Sequence, residues 1–482
     1  MPVIGIDIGT QSLKAIVAGD ALEILGEGAV PYAPQFPRPG WAEQDPRLWL
    51  EALKPAIGVA LARARLKPGD IQGLALAGQL DGCLPSAAGH ALGPCIIWMD
   101  RRAEKLISDV PPELVRDRAG LARDPTHMAA KIRWWEQELG GAEVELWHQP
   151  VSFLLEALTG ARLMDPALAS TTMLYGLECR GWDRALLDAF DLGAARLPGI
   201  AAAETVAGAL HSAGSALTGL PQGLPVAVGT GDDFSNLLGG GLFREGTVAA
   251  ALGTAEVVGA LCDRPVVDPE LLVETHPFFG GRHALVNPGW LSGGAITWFL
   301  KTFGVESPAA LSALAAEAPP GSEGLLFLPA LSGAMAPRWV AGARGAFYGL
   351  TPAHGRAHCA RAVLEGTAFA MLDVIERLEA LGVPAKRLRL MGGGARSAVW
   401  AQIRADLTGL PTEVCAMADA SPVGAAVLAS VAAGLHRDVA AALSVMRTPY
   451  SVVEPDLAKG DVYRAAHARY RRLFEALTPL YG

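Results

Sequence analysis

Three short segments of this 482-residue chain carry residue types that can do chemistry together. The first is Asp7-Ile8-Gly9-Thr10-Gln11-Ser12, with Lys14 close behind. Binding a phosphate takes backbone amides that approach closely, hydroxyl donors, and a carboxylate to hold a divalent ion. Gly9 permits the approach, Thr10 and Ser12 supply hydroxyls, Lys14 adds positive charge, and Asp7 could hold magnesium. The same residue types also dominate ordinary hairpin turns, so composition leaves both readings open.

The second segment is Gly229-Thr230-Gly231-Asp232-Asp233-Phe234-Ser235. A carboxylate at a strand end on a glycine turn is well sited to take a proton from a hydroxyl nucleophile. Either aspartate could equally cap the helix that follows. The third is Gly392-Gly393-Gly394-Ala395-Arg396-Ser397, where bare backbone lets a flat base or ribose lie against the chain. A helix N-terminus there favours negative charge, although a loop of tight turns would have the same composition. No GxxxxGK[ST] occurs, which excludes a P-loop NTPase, and no strand-GxGxxG-helix unit supports a Rossmann dehydrogenase.

The surrounding pattern says what must position these residues. Val3 to Asp7 reads as a β-branched strand and Leu13 to Val17 as its return, a hairpin with small hydroxylated residues at its tip. Val248 to Leu252, Gly253-Thr254 and Ala255 to Ala260 echo it half a chain later, as an internal duplication would. Arg47 to Arg65 has helical periodicity. Gly73 to Ala77, Val226 to Val228 and Arg387 to Met391 read as buried strands, and a helix follows from Ser397, its N-cap, to Thr408. Strands alternating with helices in both halves predict an α/β fold of two domains. The expected division is 1–240 and 241–482, with Gly239-Gly240-Gly241 as hinge and the last helix packing back on the N-terminal domain.

Bulk properties narrow the function further. At 51% hydrophobic and 18% charged the chain has the composition of a packed enzyme and excludes wholesale disorder. The net charge is −9 with no Lys/Arg block, so nucleic acid is not an expected partner and anions must be held by local devices. Cys83, Cys95, Cys179, Cys262, Cys359 and Cys415 are dispersed without a CxxC pair, which points to a reducing compartment. The chain enters a strand pattern at once, without a leader-like segment, and Val423 to Leu435 is too short to span a membrane. A cytoplasmic, soluble protein is expected.

Taken in order, the segments resemble the FGGY family of carbohydrate kinases, over essentially the whole chain. Gly5-Ile6-Asp7-x-Gly9-Thr10-x-Ser12-x-Lys14 looks like its first phosphate hairpin. Gly40-Trp41-Ala42-Glu43-Gln44-Asp45-Pro46 is similar to the GWxEQDP stretch of pentulose kinases, and Trp98-Met99-Asp100-Arg101-Arg102 to the family's W-x-D-x-R. Gly345 to Leu350 followed by His358 and Ala362 to Gly366 fits a family signature with Cys359 out of place. Gly392 to Ser397 with Trp400, Gln402, Ala405 and Asp406, and Ser421-Pro422-x-Gly424-Ala425-Ala426, match closely too.

The resemblance implies the two-domain, actin-like (ribonuclease H-like) fold, with a nucleotide and sugar cleft between the domains. It implies Asp232 as catalytic base and Asp7 as the residue that organises magnesium. Gln79, Leu80, Asp81, Trp98, Asp100, Asp232 and Asp233 would meet the sugar. Thr10, Gln11, Ser12 and Lys14 would meet the transferred phosphate, with Gly253 and Thr254 across the cleft. Gly293, Thr297, Trp298, Gly393, Gly394 and Ser397 would hold ATP. The implied reaction is magnesium-ATP-dependent phosphorylation of D-xylulose at O5, and a homodimer is common among such kinases.

Three departures bear on that expectation. Where xylulose kinases usually read Gly-Gln-Met-His, this chain has Gly78-Gln79-Leu80-Asp81-Gly82. An ionised Asp81 only accepts hydrogen bonds, so it would gather substrate hydroxyls or, facing away, cap a turn. An acidic residue there belongs to glycerol kinases and some polyol kinases, which keeps a tetritol or pentitol in view. Gly333-Ala334-Met335-Ala336-Pro337 lacks a charged pair usual in the family, and the signature around Thr126 to Glu138 is degraded apart from Lys131 and Trp134. Two rival functions share the fold, a silent sugar sensor and an actin-like ATPase. The intact Asp7 and Asp232 argue against the first, and the Gly-Trp-x-Glu-Gln-Asp-Pro stretch against the second.

Overall fold

The computed structural model describes residues 1–415, 417, 419–447 and 450–481. Two seven-stranded mixed sheets organise it. The first runs through Val3–Ile8 (β1), Ser12–Ala18 (β2), Ile24–Pro31 (β3), Leu74–Gly78 (β4), Val206–Ala209 (β5) and Pro225–Ala227 (β6), ordered β5-β6-β4-β1-β2-β3. A short segment, Thr230–Gly231, also pairs with β4, opposite Ala77 and Gly78. The second runs through Thr247–Leu252 (β7), Ala255–Cys262 (β8), Glu274–Pro277 (β9), His283–Leu291 (β10), Arg387–Met391 (β11), Thr412–Cys415 (β12) and Tyr450–Val453 (β13), ordered β9-β10-β8-β7-β11-β12-β13.

The duplication read in the sequence is present in the pairing. β1 and β2 form an antiparallel hairpin with Asp7 opposite Lys14, and β4 lies parallel to β1. β7 and β8 form the second hairpin, with β11 parallel to β7. Every residue of β1 is buried, as a strand covered on both faces must be. Helix α1 (Pro46–Ala64) covers β2 and β3, capped by Asp45, whose carboxylate accepts from Arg47 N.

The other cover of the first sheet comes from far along the chain. Helices α2 (Asp232–Gly239) and α3 (Ser421–Ala432) cross between the two sheets, and α3 lies on β1 and β4. Their backbones approach too closely for side chains: a Cβ on Gly424 would sit 2.0 Å from Ser235 O, and one on Gly5 2.0 Å from Pro422 O. One buried cluster therefore joins Val3, Ala75 and Ala77 of the first sheet to Ala249 and Leu261 of the second through Phe234 and Val423.

Two expectations change here. The last helix, α4 (Gly460–Leu477), packs within the C-terminal half, its Tyr463, Tyr470 and Phe474 joining the core around the second sheet. It is α3 that reaches back. The glycines at 239–241 have a packing reason rather than a flexible one. A Cβ on Gly240 would fall 1.8 Å from Met391 Sδ, and Arg389 Nη1 donates to Gly240 O (2.8 Å) and Gly241 O (2.7 Å). The joint is close-packed.

Candidate active site

Two cavities flank the turn of the β7–β8 hairpin: Gly253 and Thr254 line one, Ala255 and Val257 the other. The first cavity, about 630 Å³, gathers Thr10, Gln79, Leu80, Asp81, Trp98, Asp232 and Asp233 from the residues named above. The second, about 730 Å³, gathers Gly253, Thr254, Gly293, Thr297, Gly393, Gly394 and Ser397. Both volumes suit small organic ligands.

Asp232 opens α2, with Gly231 as N-cap, so neither aspartate serves as the cap that the turn composition allowed. Burial pushes the Asp232 carboxyl well above the usual carboxylate range, helped by the charges of Asp233 and Asp7. Burial and the nearby Asp81 hold Asp233 at about 6. At the end of β1, burial and then the Asp419 charge raise Asp7 to about 7, although Ser421 Oγ donates to its Oδ1 at 2.9 Å. Lys14, opposite Asp7, pairs with Asp419. One lysine thus faces several clustered carboxylates, and that excess negative charge is what a divalent cation would relieve.

The tip of the first hairpin is fixed by hydrogen bonds. Trp98 Nε1 donates to Thr10 Oγ1 at 3.0 Å, and Gln44 Nε2 to Thr10 O at 2.8 Å. Gln79 Nε2 in turn donates to Gln44 Oε1 at 2.6 Å. Thr10 therefore stands at the first cavity, not beside the glycine-walled one. Gln11 is exposed and Ser12 half-buried at the turn, and neither is in the lining of these two cavities.

Asp100 does not reach the first cavity. It is fully buried, accepts from Ala42 N at 2.6 Å, and receives a forked pair from Arg102 at 2.7 to 2.9 Å. Arg102 also binds Glu43 at 2.7 Å and stacks 3.7 Å from the Trp41 ring centroid. The two motifs Gly40 to Pro46 and Trp98 to Arg102 thus clamp one another, leaving Trp98 to face the cavity. Trp298 likewise turns into an aromatic cluster, stacked on Phe327 at 5.8 Å, because its position on the helix Gly293–Phe303 faces the core while Thr297 faces the nucleotide-sized cavity. Ser397 fills both roles, capping the helix Ala398–Thr408 through Trp400 N and lining that cavity.

Asp81 faces the first cavity in a left-handed backbone conformation (φ 58°), so the turn-capping alternative fails. Its Oδ1 lies 3.1 Å from His127 Nδ1. Burial alone would depress His127, but the Asp81 charge and hydrogen bond, with Glu274 and Asp124 near, carry it up to about 9. Sequence reasoning missed His127, Asp124, Arg101, Glu274 and His276 on this cavity wall, and Asp419 beside Asp7. His127 sits inside the segment whose family pattern is degraded. Glu274 and His276 alternate on a strand, a spacing that places both on one face.

Fold and site together define a two-cavity phosphotransferase of the sugar-kinase kind. The FGGY carbohydrate kinase N-terminal domain matches residues 2–239 and the C-terminal domain residues 248–433, and the chain belongs to this family. It is 34% identical to a glycerol kinase of Alkalilimnicola ehrlichii over 90% of each chain. It is 30% identical to a xylulose kinase of Escherichia coli over 99% of each. The crystal structure of a "xyloylose" kinase from Brucella ovis superposes with a TM-score of 0.91 over the full length of both chains, at 29% identity. Among the described residues no helix is long and apolar enough to cross a membrane.

Proposed function

We propose that this chain transfers the γ-phosphoryl group of ATP to a hydroxyl of a small ketose or polyol, with D-xylulose, giving D-xylulose 5-phosphate, as the first candidate. The observation that carries the reading is Asp232: a buried carboxyl with a raised proton affinity, on the wall of a cavity sized for a sugar, beside a glycine-walled cavity sized for a nucleotide. We place the division between acceptor and nucleotide domains at residue 240.

In this account the acceptor lies against Trp98, Asp81 and Asp233 with one hydroxyl at Asp232. A sugar hydroxyl ionises far above neutrality, so Asp232 takes its proton as the bond to phosphorus forms, worth ~10²–10⁴-fold in rate. Gly253 and Thr254 carry the nucleotide to the shared turn, and Gly393 and Gly394 leave room for its base and ribose. Asp7 would hold magnesium, which when bound neutralises charge on the phosphates. Closure of the two domains would exclude water, the competing acceptor.

A second reading, a polyol acceptor, rests on Asp81, which replaces an imidazole with an obligate acceptor once ionised. Coupled ADP release with magnesium-ATP tests both, using D-xylulose, L-xylulose, D- and L-ribulose, glycerol, erythritol, xylitol and ribitol. Stimulation by D-xylulose supports the first reading and by a polyol the second. No stimulation by any of them contradicts the kinase proposal.

A further inference from the structure

The acceptor cavity is not built by the N-terminal half alone. β9 is the edge strand of the second sheet, yet its backbone docks on the first half: Thr275 N donates to Gly120 O at 3.0 Å. Ala122 N donates to Glu274 Oε1 at 3.3 Å. Strand alternation sends Glu274 and His276 into the cavity, while the Thr275 hydroxyl turns away to donate to Val266 O at 2.5 Å.

The hydrogen bonds behind His276 fix what it offers. Ser170 Oγ donates to Ala167 O at 2.6 Å, so its only proton is committed there. At 2.8 Å it must then accept from His276 Nδ1, which leaves Nε2 of the neutral ring as a bare acceptor. Burial keeps that ring neutral, lowering it to about 3. Glu274 Oε2, 3.8 Å from His276 Nε2, is beyond hydrogen-bond reach of it and has no other partner among the described residues. Burial raises Glu274 to about 7 against the pull of the nearby His127 charge, so above that pH it joins Asp81 and Asp233 in giving the wall several acceptors, drawn from both halves of the molecule. The two cations on it are each matched by a carboxylate, His127 by Asp81 at 3.1 Å and Arg101 by Asp124 at 3.5 Å, so the remaining carboxylates attract hydroxyl donors and repel a carboxylate.

We propose that Glu274 and His276 are specificity residues that the C-terminal half supplies to the acceptor cavity, selecting an uncharged polyhydroxylated chain longer than three carbons and rejecting sugar acids. This rests on the kinase reading above. A three-carbon polyol occupying the Asp232 end of a cavity of about 630 Å³ would leave much of that wall unused.

At pH 8, where Glu274 is ionised, the test compares wild type with Glu274→Gln, which preserves shape, by steady-state kinetics and by calorimetric binding of D-xylulose, xylitol, glycerol and D-gluconate. The five-carbon acceptor should bind wild type more tightly than glycerol, and D-gluconate should not bind. Glu274→Gln should raise the five-carbon KM about tenfold or more with the ATP KM within about twofold, and should begin to bind D-gluconate. His276→Gln, whose amide nitrogen can donate where Nε2 accepts, should move the same acceptor constants. Unchanged acceptor constants in a variant with wild-type melting would overturn the proposal, as would wild type binding gluconate or preferring glycerol. Binding of D-xylulose without ADP release would contradict the kinase reading alone, and calorimetry of the variants would still decide this one. A wild type that binds none of the four overturns it.

Discussion

His127 Nδ1 stands 3.1 Å from Asp81 Oδ1 on the wall of the acceptor cavity, joining a helix-flanking loop to the turn that follows β4. The pair brings an imidazole from another segment to the loop Gly78 to Gly82, where Asp81 stands in place of the histidine of Gly-Gln-Met-His. Its pH dependence has a definite sign. His127 is raised from 6.5 to about 9 in the folded chain, so its stabilisation is fully present below about pH 6.5 and is lost as pH rises through about 9. Asp81→Asn should remove that slope, because burial then lowers the imidazole instead. Melting temperatures of the two proteins should differ most near pH 6 and converge above about pH 9. A difference that stays constant across this range would mean that His127 carries no charge in the fold.

The second cavity admits a clean steric test. A Cβ on Gly393 meets nothing within 4 Å, whereas one on Gly394 would fall 2.8 Å from both Leu252 Cβ and Trp400. Gly393→Leu should therefore fill nucleotide space without disturbing the fold, raising the ATP KM about tenfold or more. Melting temperature and acceptor affinity should hold. An unmoved ATP KM in the folded variant would place the nucleotide elsewhere.

Asp100 and Trp98 should separate cleanly. Removing one partner of a buried ion pair costs about 3–5 kcal/mol, so Asp100→Ala should lower the denaturation midpoint sharply, leaving Arg102 only Glu43 and the Ala42 amide no acceptor. Trp98→Ala, which loses a half-exposed ring at the cavity, should weaken acceptor binding with a small change in stability. The opposite pattern, a stable Asp100→Ala with impaired acceptor binding, would restore Asp100 to the sugar site.

The contrast between these two residues shows what the sequence could and could not convey. The strand Arg387–Met391 and the helix read over Arg47 to Arg65, observed as Pro46–Ala64, followed from hydrophobic period, and the helix Ala398–Thr408 from its cap at Ser397, because local physics decides them. The glycine-walled cavity was foreshadowed by Gly293 and Gly392 to Gly394: a Cβ on Gly293 or Gly394 would clash, while one on Gly393 meets open space. Motif membership did not tell a side chain that touches ligand from one that holds its neighbour, so Asp100 and Trp298 were assigned to sites they only support. The reach of α3 to the first sheet and of β9 to the N-terminal half depends on contacts between residues more than 150 positions apart, Gly5 with Pro422 and Gly120 with Thr275, and no local pattern reports those.

The role of Asp232 is tested most directly by measuring kcat and acceptor Kd for wild type and Asp232→Asn, with magnesium-ATP and whichever acceptor stimulates ADP release. The account expects kcat to fall by roughly 10²–10⁴-fold while the acceptor Kd stays close to that of wild type. Turnover near the wild-type rate in a folded Asp232→Asn protein would contradict it, and the proton would have to leave by another route.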